Sequence, residues 1–253
     1  MNRPLLILSG RETPETLTAM EQAVVQRCRD DGWDCLVIPH LYHLSESSPL
    51  WEELAARAGR GVLFCWLHPR PAQWILHRHG IAHQGLSIFH LGGFSDAGSA
   101  FAAACDAVQE SAPRERAERG IVAPGRVERF QEPVGRRWYP VADGSRCTHC
   151  RHCLQFCLFG VYELDAEEKV VVRNPDNCKP GCAACSRICP QSAIMFPLYD
   201  KDAAIAGAPG QLVAPDADAS HTPAGQIAWP ARPPFDDLDE LVEQLDRRMQ
   251  GRP

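Results

Sequence analysis

The sequence has no excess of basic residues and very little lysine. Its formal net charge is −6, and lysine occurs only at positions 169, 179 and 201. A protein that binds duplex nucleic acid usually carries a basic face with clustered lysine and arginine. The composition therefore argues against nucleic acid as a partner.

Long hydrophobic runs are missing as well. The first apolar run, residues 5–8, is too short for the core of a signal peptide or for a membrane span. We therefore expect no membrane insertion and a cytoplasmic location. In that reducing compartment, the twelve cysteines are expected to be metal ligands or buried thiols rather than disulfides.

Eight of the twelve cysteines fall within one short stretch and form two runs. The first run has the spacing C-x2-C-x2-C-x3-C, and the second has C-x3-C-x2-C-x3-C-P. The eight are Cys147, Cys150, Cys153, Cys157, Cys178, Cys182, Cys185 and Cys189. Zinc sites also use C-x2-C pairs, but they rarely supply four cysteines at this compressed spacing twice over. Soft thiolates in this pattern favour iron–sulfur clusters.

Residues 138–199 resemble the bacterial-type two-cluster ferredoxins, which carry such runs. The resemblance implies a small α+β module with two [4Fe–4S] clusters. It also implies crossed ligation, in which the fourth cysteine of each run binds the other cluster. One cluster would then be held by Cys147, Cys150, Cys153 and Cys189, and the second by Cys178, Cys182, Cys185 and Cys157. Crossing brings the two clusters close enough for an electron to pass between them.

The two runs form an internal repeat with two departures from the family pattern. Three of the four cysteine pairs are 32 residues apart. Leu158 stands where the family often has proline, and one extra residue between Cys178 and Cys182 is absorbed by the turn-forming pair Pro180-Gly181. Neither departure removes a ligand. Residues 161–164 and 170–173 are predicted to form a hairpin.

Residues 1–112 have the pattern of an α/β domain. Apolar strand-like segments alternate with amphipathic helical ones, which favours an open, mostly parallel sheet with helices on both faces. The predicted strands are 4–9, 35–39, 61–67 and 86–91, and the predicted helices are one that opens at Thr13 and those at 50–58, 72–79 and 97–110. The four remaining cysteines lie within these elements, and we expect them to pack in the core.

The α/β domain has no nucleotide-binding motif that would give its role. Neither G-x-G-x-x-G nor a Walker P-loop occurs, and ordinary turns explain the glycines after its strands. The loop 9–16 only loosely suggests a phosphate loop. The histidines at 77, 79 and 83 could suggest a metal site, but Gly80 is expected to break the helix that would align them. Docking of a partner is the plainest interpretation of this domain.

The remaining segments are predicted to connect and close the molecule. Residues 113–137 have the composition of an extended linker, and residues 200–253 of an extended tail. The tail ends in an amphipathic helix at about 236–250, which we expect to pack on the same chain.

These patterns together predict an iron–sulfur electron-transfer protein. It would be a ferredoxin-like carrier or a redox subunit that passes single electrons through two [4Fe–4S] clusters to redox partner proteins. The alternative is an oxidoreductase whose α/β domain binds flavin or substrate and is served by the clusters. A redox sensor that responds to cluster loss is a third hypothesis.

Overall fold

The computed structural model describes residues 3–57, 61–82, 85–111 and 123–210. Part of the predicted linker, residues 113–122, lies outside these ranges. The predicted tail helix at 236–250 lies outside them too, so its packing stays a prediction.

Five parallel strands form the central sheet. They are β1 (Leu5–Ser9), β2 (Asp34–Ile38), β3 (Gly61–Cys65), β4 (Leu86–His90) and β5 (Val127–Arg129), in the order β4-β3-β1-β2-β5. Each neighbouring pair runs in the same direction. The predicted open parallel sheet is therefore confirmed.

Helices cover both faces of this sheet. They are α1 (Ala19–Asp30), α2 (Leu50–Arg57), α3 (Pro69–Arg78) and α4 (Ala97–Ser111). Side chains alternate between the faces, as in any strand: Leu6 and Leu8 of β1 join the core beneath α1 and α4, whereas Ile7 joins the core beneath α2 and α3. Each face therefore has its own hydrophobic core.

The first helix begins later than the sequence suggested. We expected it to open at Thr13, but α1 starts at Ala19 with Thr18 as its N-cap. Thr18 and Glu21 form a capping box, in which each side chain accepts a hydrogen bond from the other residue's backbone N–H. This reciprocal pair satisfies two backbone donors at once, so it sets the start of the helix.

Part of the predicted linker is a strand. Residues 127–129 pair with 35–37 of β2 and extend the sheet by one strand. The chain reaches this position through Gly125, where an added Cβ would lie 1.7 Å from the carbonyl oxygen of Trp33. Only glycine permits so close an approach of the two backbones.

The cysteine-rich part is built from short elements. They are β6 (Val141–Ala142), α5 (His152–Phe156), β7 (Tyr162–Leu164), β8 (Val170–Val172), α6 (Ala184–Arg187), β9 (Ile194–Met195) and α7 (Ala203–Ala206). The predicted hairpin is present, since β7 and β8 pair antiparallel. A second antiparallel pair joins β6 to β9.

The sheet and the cysteine-rich part share one hydrophobic core. Ile7 and Leu63 of the sheet belong to the same buried cluster as Tyr162, Ile194 and Phe196. The domain boundaries at 112 and 138 stay a prediction, but the core crosses them.

Two polar contacts tie the same regions together. The hydroxyl of Tyr42 donates to the carbonyl of Tyr139 at 2.5 Å and accepts from its N–H at 2.6 Å. Arg70 of α3 forms a 2.6 Å ion pair with Asp143, just after β6. Both contacts lie in buried or half-buried surroundings, where polar groups need such partners.

No helix within the described ranges is both long enough and apolar enough to cross a membrane.

Candidate metal centres

The first cysteine run spans the loop between β6 and α5 and the helix itself: Cys147 and Cys150 lie on the loop, Cys153 lies in α5, and Cys157 is its C-cap. His149 and Arg151, which alternate with its cysteines, have left-handed backbones with φ values of 54° and 67°. These conformations cost energy for residues other than glycine. The backbone carbonyl of Asp143 accepts hydrogen bonds from the N–H groups of Arg146 and Cys147 and so anchors the start of the loop.

One pocket collects the first three cysteines of this run together with the last cysteine of the second run. Its thiol lining is Cys147, Cys150, Cys153 and Cys189, and apolar groups of Tyr162, Val170, Val172 and Ile194 complete its wall. Four thiols around one largely apolar pocket form a donor set that suits an iron–sulfur cluster. The residues present therefore fit that group.

Interactions between thiols place Cys189 beside the first run, and they also link Cys153 to Cys185 of the second run. Burial, followed by the neighbouring thiols of Cys185, Cys189 and Cys147, raises the pKa of Cys153 to about 12. The pKa of Cys147 is also raised, by burial first and then by Cys189 and Cys150. Cys189 thus lies beside the first run, more than 30 positions away in sequence.

The second run gains Cys157 in the same way. Burial, followed by the thiols of Cys182 and Cys157, raises the pKa of Cys178 to about 12. Burial, followed by the thiols of Cys178, Cys182 and Cys157, raises the pKa of Cys185 to about 12, and the neighbouring Tyr162 hydroxyl opposes this rise. Buried thiols of this kind become thiolates when a cation compensates the charge.

Polar groups surround several of the sulfurs. The backbone N–H of Ala193 donates to Cys189 Sγ at 3.3 Å. His152 Nδ1 lies 3.5 Å from Cys150 Sγ. His149 Nδ1 lies 3.7 Å from Cys147 Sγ, but it accepts a hydrogen bond from the N–H of Val170 and so does not donate to the sulfur. Hydrogen bonds to sulfur are among the factors that set the reduction potential of a cluster.

All eight cysteines are free thiols. Among the described residues, no three side chains of His, Cys, Asp or Glu meet the geometry of a single metal-ion site. The division of the thiols into two sets rests on the pairwise interactions and the pocket, and the assignment of ligands stays a prediction.

The cysteines outside the two runs pack as predicted. Cys28, Cys35 and Cys65 are buried, and Cys105 is half-buried. Of the histidines considered as a metal site, His79 stacks on Trp51 with ring centroids 3.7 Å apart. The histidine at position 83 lies outside the described residues.

Three supporting residues were missed at the level of sequence. The indole N–H of Trp138 donates to the carbonyl of Cys182 at 2.7 Å, Tyr162 lies against Cys185, and Arg70 holds Asp143 and the carbonyl of Ser192. The internal repeat does indicate Tyr162, because it follows Cys157 at the same distance in sequence as Ile194 follows Cys189. Trp138 and Arg70 act as single side chains and leave no periodic pattern.

Two known proteins are similar to part of this chain. An uncharacterized ferredoxin of Methanocaldococcus jannaschii is 46% identical over 77 residues, which cover 28% of this chain and 51% of that protein. Ferredoxin-3 of a Nostoc species is 34% identical over 79 residues, which cover 23% of this chain and 80% of that protein. The chain thus spans about half the length of the first relative. No protein-family model matches it.

The two runs of thiols and these similarities support an iron–sulfur electron-transfer role for the cysteine-rich part of the chain. Since the matched segment spans most of Ferredoxin-3, the chain belongs to the ferredoxin family. The names of these two relatives give no role for the α/β part of the chain.

Proposed function

We propose that the protein carries single electrons through two [4Fe–4S] clusters with crossed ligands. Cys147, Cys150, Cys153 and Cys189 would hold one cluster, and Cys178, Cys182, Cys185 and Cys157 the other. The observation that carries the proposal is the position of Cys189 in the pocket of the first run. The interaction of Cys157 with Cys178 and Cys185 supports it from the other side.

The chain's own residues would set the environment of this chemistry. When bound, a [4Fe–4S] cluster takes up or releases one electron with little change in its ligands. Tyr162, Val170 and Val172 exclude water from one wall of the first pocket. The N–H of Ala193, aimed at Cys189, would stabilise added negative charge at that sulfur.

The partner would be a redox protein in the same reducing compartment, which we propose to be the cytoplasm. Apolar side chains are exposed around Cys157: Leu158 is 92% exposed, Phe156 41% and Phe159 40%. Large exposed apolar groups next to a functional residue mark a contact surface for a protein. An electron could then enter or leave near the cluster that Cys157 would bind.

Paired cysteine substitutions test the crossed assignment by iron content. In Cys157→Ala/Cys182→Ala, both changes fall on the same cluster, so about four iron atoms per chain should remain. In Cys157→Ala/Cys150→Ala, the changes fall on different clusters, so few iron atoms should remain. Iron and acid-labile sulfide would be measured after anaerobic reconstitution.

The matched control is Cys105→Ala, which changes a half-buried cysteine outside both runs and should leave the iron content at the wild-type value. The reverse result, with about four iron atoms retained only by Cys157→Ala/Cys150→Ala, would show that each run binds its own cluster.

A further inference from the structure

A large cleft lies at the carboxyl ends of the parallel strands. It encloses about 1280 Å³ and is lined by Arg11 after β1, His40 after β2, Trp66 after β3 and His90 at the end of β4. In open parallel sheets, this edge is where ligands bind. The volume is sufficient for a small molecule of cofactor size.

The charges at the cleft are mainly positive. Its lining includes Arg11, Arg136 and Arg137, against Glu12 as its one acidic residue among those described. Arg137 is already paired with Asp176 at 2.7 Å and with Glu46 at 3.0 Å. Within the described part of the chain, Arg11 and Arg136 form no ion pair, so both can face an anion.

Aromatic rings form much of the remaining wall. Trp66, Trp138, His40, His43 and His90 all line the cleft. Flat rings of this kind offer faces on which a planar molecule can stack. The guanidinium of Arg11 lies 5.2 Å from the centre of the Trp66 ring, so a positive charge and an aromatic face occur side by side.

A buried carboxylate fixes this part of the cleft. Glu21 is fully buried, and its Oε1 accepts hydrogen bonds from the indole N–H of Trp66 and the backbone N–H of Arg11, both at 2.7 Å. The ring and the loop are therefore held in place before any ligand arrives. Such preorganisation lowers the entropic cost of binding.

His40 supplies an independent sign of a ligand. Its side chain is only 4% exposed, yet its Nδ1 atom finds no hydrogen-bond partner among the residues that the structure describes. A buried polar atom without a partner costs stability, and in native proteins it calls for an explanation. Burial, with a smaller contribution from His43, lowers the pKa of His40 to about 3, so the ring is neutral and can bond to a polar group of a ligand.

We propose that this cleft binds a planar aromatic molecule that carries a phosphate. Arg11 and Arg136 would contact the phosphate, the tryptophan rings would stack on the planar part, and His40 would bond to a polar atom at its edge. This inference goes beyond electron transfer by the clusters and does not depend on them. The cleft nevertheless adjoins the second run, because its wall includes Pro180 and Trp138, and Trp138 bonds to Cys182.

Calorimetric titration of the full-length, cluster-loaded protein with FMN, AMP and riboflavin tests the proposal. FMN and riboflavin share one ring system and differ in the phosphate. We expect FMN or AMP to bind, and riboflavin to bind at least about tenfold more weakly than FMN, a factor worth about 1.4 kcal/mol. No binding of FMN or AMP at about 1 mM, or equal affinity for FMN and riboflavin, would overturn the proposal.

Arginine variants locate the site. Arg11→Gln and Arg136→Gln change exposed side chains, so the fold should survive, which circular dichroism would verify. Each should weaken binding of the phosphate-bearing probe about tenfold. Arg126→Gln is the matched control, because Arg126 belongs to a pocket with Leu5 and Asp34 at the opposite, amino-terminal edge of the sheet. Equal losses in all three variants would also overturn the proposal.

Discussion

Single side chains hold the cysteine loops in shape. His149 contacts both the first cysteine run and the hairpin. Its ring lies near Cys147 Sγ, and its Nδ1 accepts a hydrogen bond from the N–H of Val170 in β8. The backbone at position 149 is left-handed. Histidine tolerates this conformation better than most residues, so the loop gains a contact with the hairpin at moderate cost.

The buried imidazole of His40 predicts a specific pH dependence of stability. Its pKa is about 3 in the folded chain, against about 6.5 when unfolded. Below about pH 6.5, the unfolded chain binds a proton that the folded chain does not. The free energy of unfolding should therefore fall by about 1.4 kcal/mol per pH unit from this residue as the pH drops toward 3.

Urea titrations of wild type and His40→Gln between about pH 6.5 and 4.5 would check this. In His40→Gln, the free energy of unfolding should fall less steeply with decreasing pH, by about 1.4 kcal/mol per pH unit. An unchanged slope would mean that His40 is not held neutral in the fold.

Among the elements, α3 is the main brace between the sheet and the cysteine loops. The guanidinium of its Arg70 bonds to Asp143 and to the carbonyl of Ser192, both at 2.6 Å. Burial opposes the ionisation of Asp143, but the hydrogen bond from Ser145 and the ion pair with Arg70 outweigh it and lower its pKa. Asp143 in turn precedes the first run, and Ser192 follows the last cysteine.

Arg70→Met should therefore destabilise the protein by about 3 kcal/mol, because the buried carboxylate of Asp143 loses its nearer cation and keeps only Arg146 at 3.6 Å. It should also speed iron loss to a chelator, since the ends of both cysteine loops lose their anchor. Arg173→Met removes an exposed ion pair with Glu163 and should change stability by less than about 0.5 kcal/mol. Similar effects of the two variants, measured by urea unfolding, would contradict the role given to α3.

The sequence predicts the elements better than their arrangement. Apolar strands and amphipathic helices were found at nearly their observed positions because burial imposes their periodicity. The short strand β5 was missed, since three residues with one apolar side chain carry no strand pattern. The start of α1 was placed too early because Thr13-Pro14 resembles a helix opening, whereas the capping box at Thr18 decides it.

Strand order and the cleft could not be predicted from local patterns. The lining of the cleft comes from segments as distant as Arg11 and Leu198, which only the tertiary fold brings together. The eight cysteines were evident from spacing alone, but their crossed grouping came from the family resemblance. The assignment of these cysteines to two clusters stays a prediction.

For the whole molecule, the shared core couples the sheet to the cysteine-rich part. Cys178 and Cys185 belong to the same buried cluster as Ile7, Ile38 and Leu63 of the sheet. Removal of the clusters should therefore destabilise the sheet as well, because ligand binding to the folded state stabilises everything that unfolds with it.

We expect the melting temperature followed by far-ultraviolet circular dichroism to fall by about 5 °C or more after chelation. Hydrogen exchange at the amides of β1 and β3 should become faster. Unchanged protection of these strands would show that the sheet and the cysteine-rich part fold independently.

The most direct test of the central claim is the composition of protein prepared without oxygen. Iron, acid-labile sulfide and zinc would be measured per chain, together with the paramagnetic resonance spectrum after reduction. Eight thiolates in two sets of four predict about eight iron and eight sulfide per chain, and a spectrum of two magnetically interacting clusters. Saturation with about two zinc ions, and no iron or sulfide after reconstitution, would contradict the account.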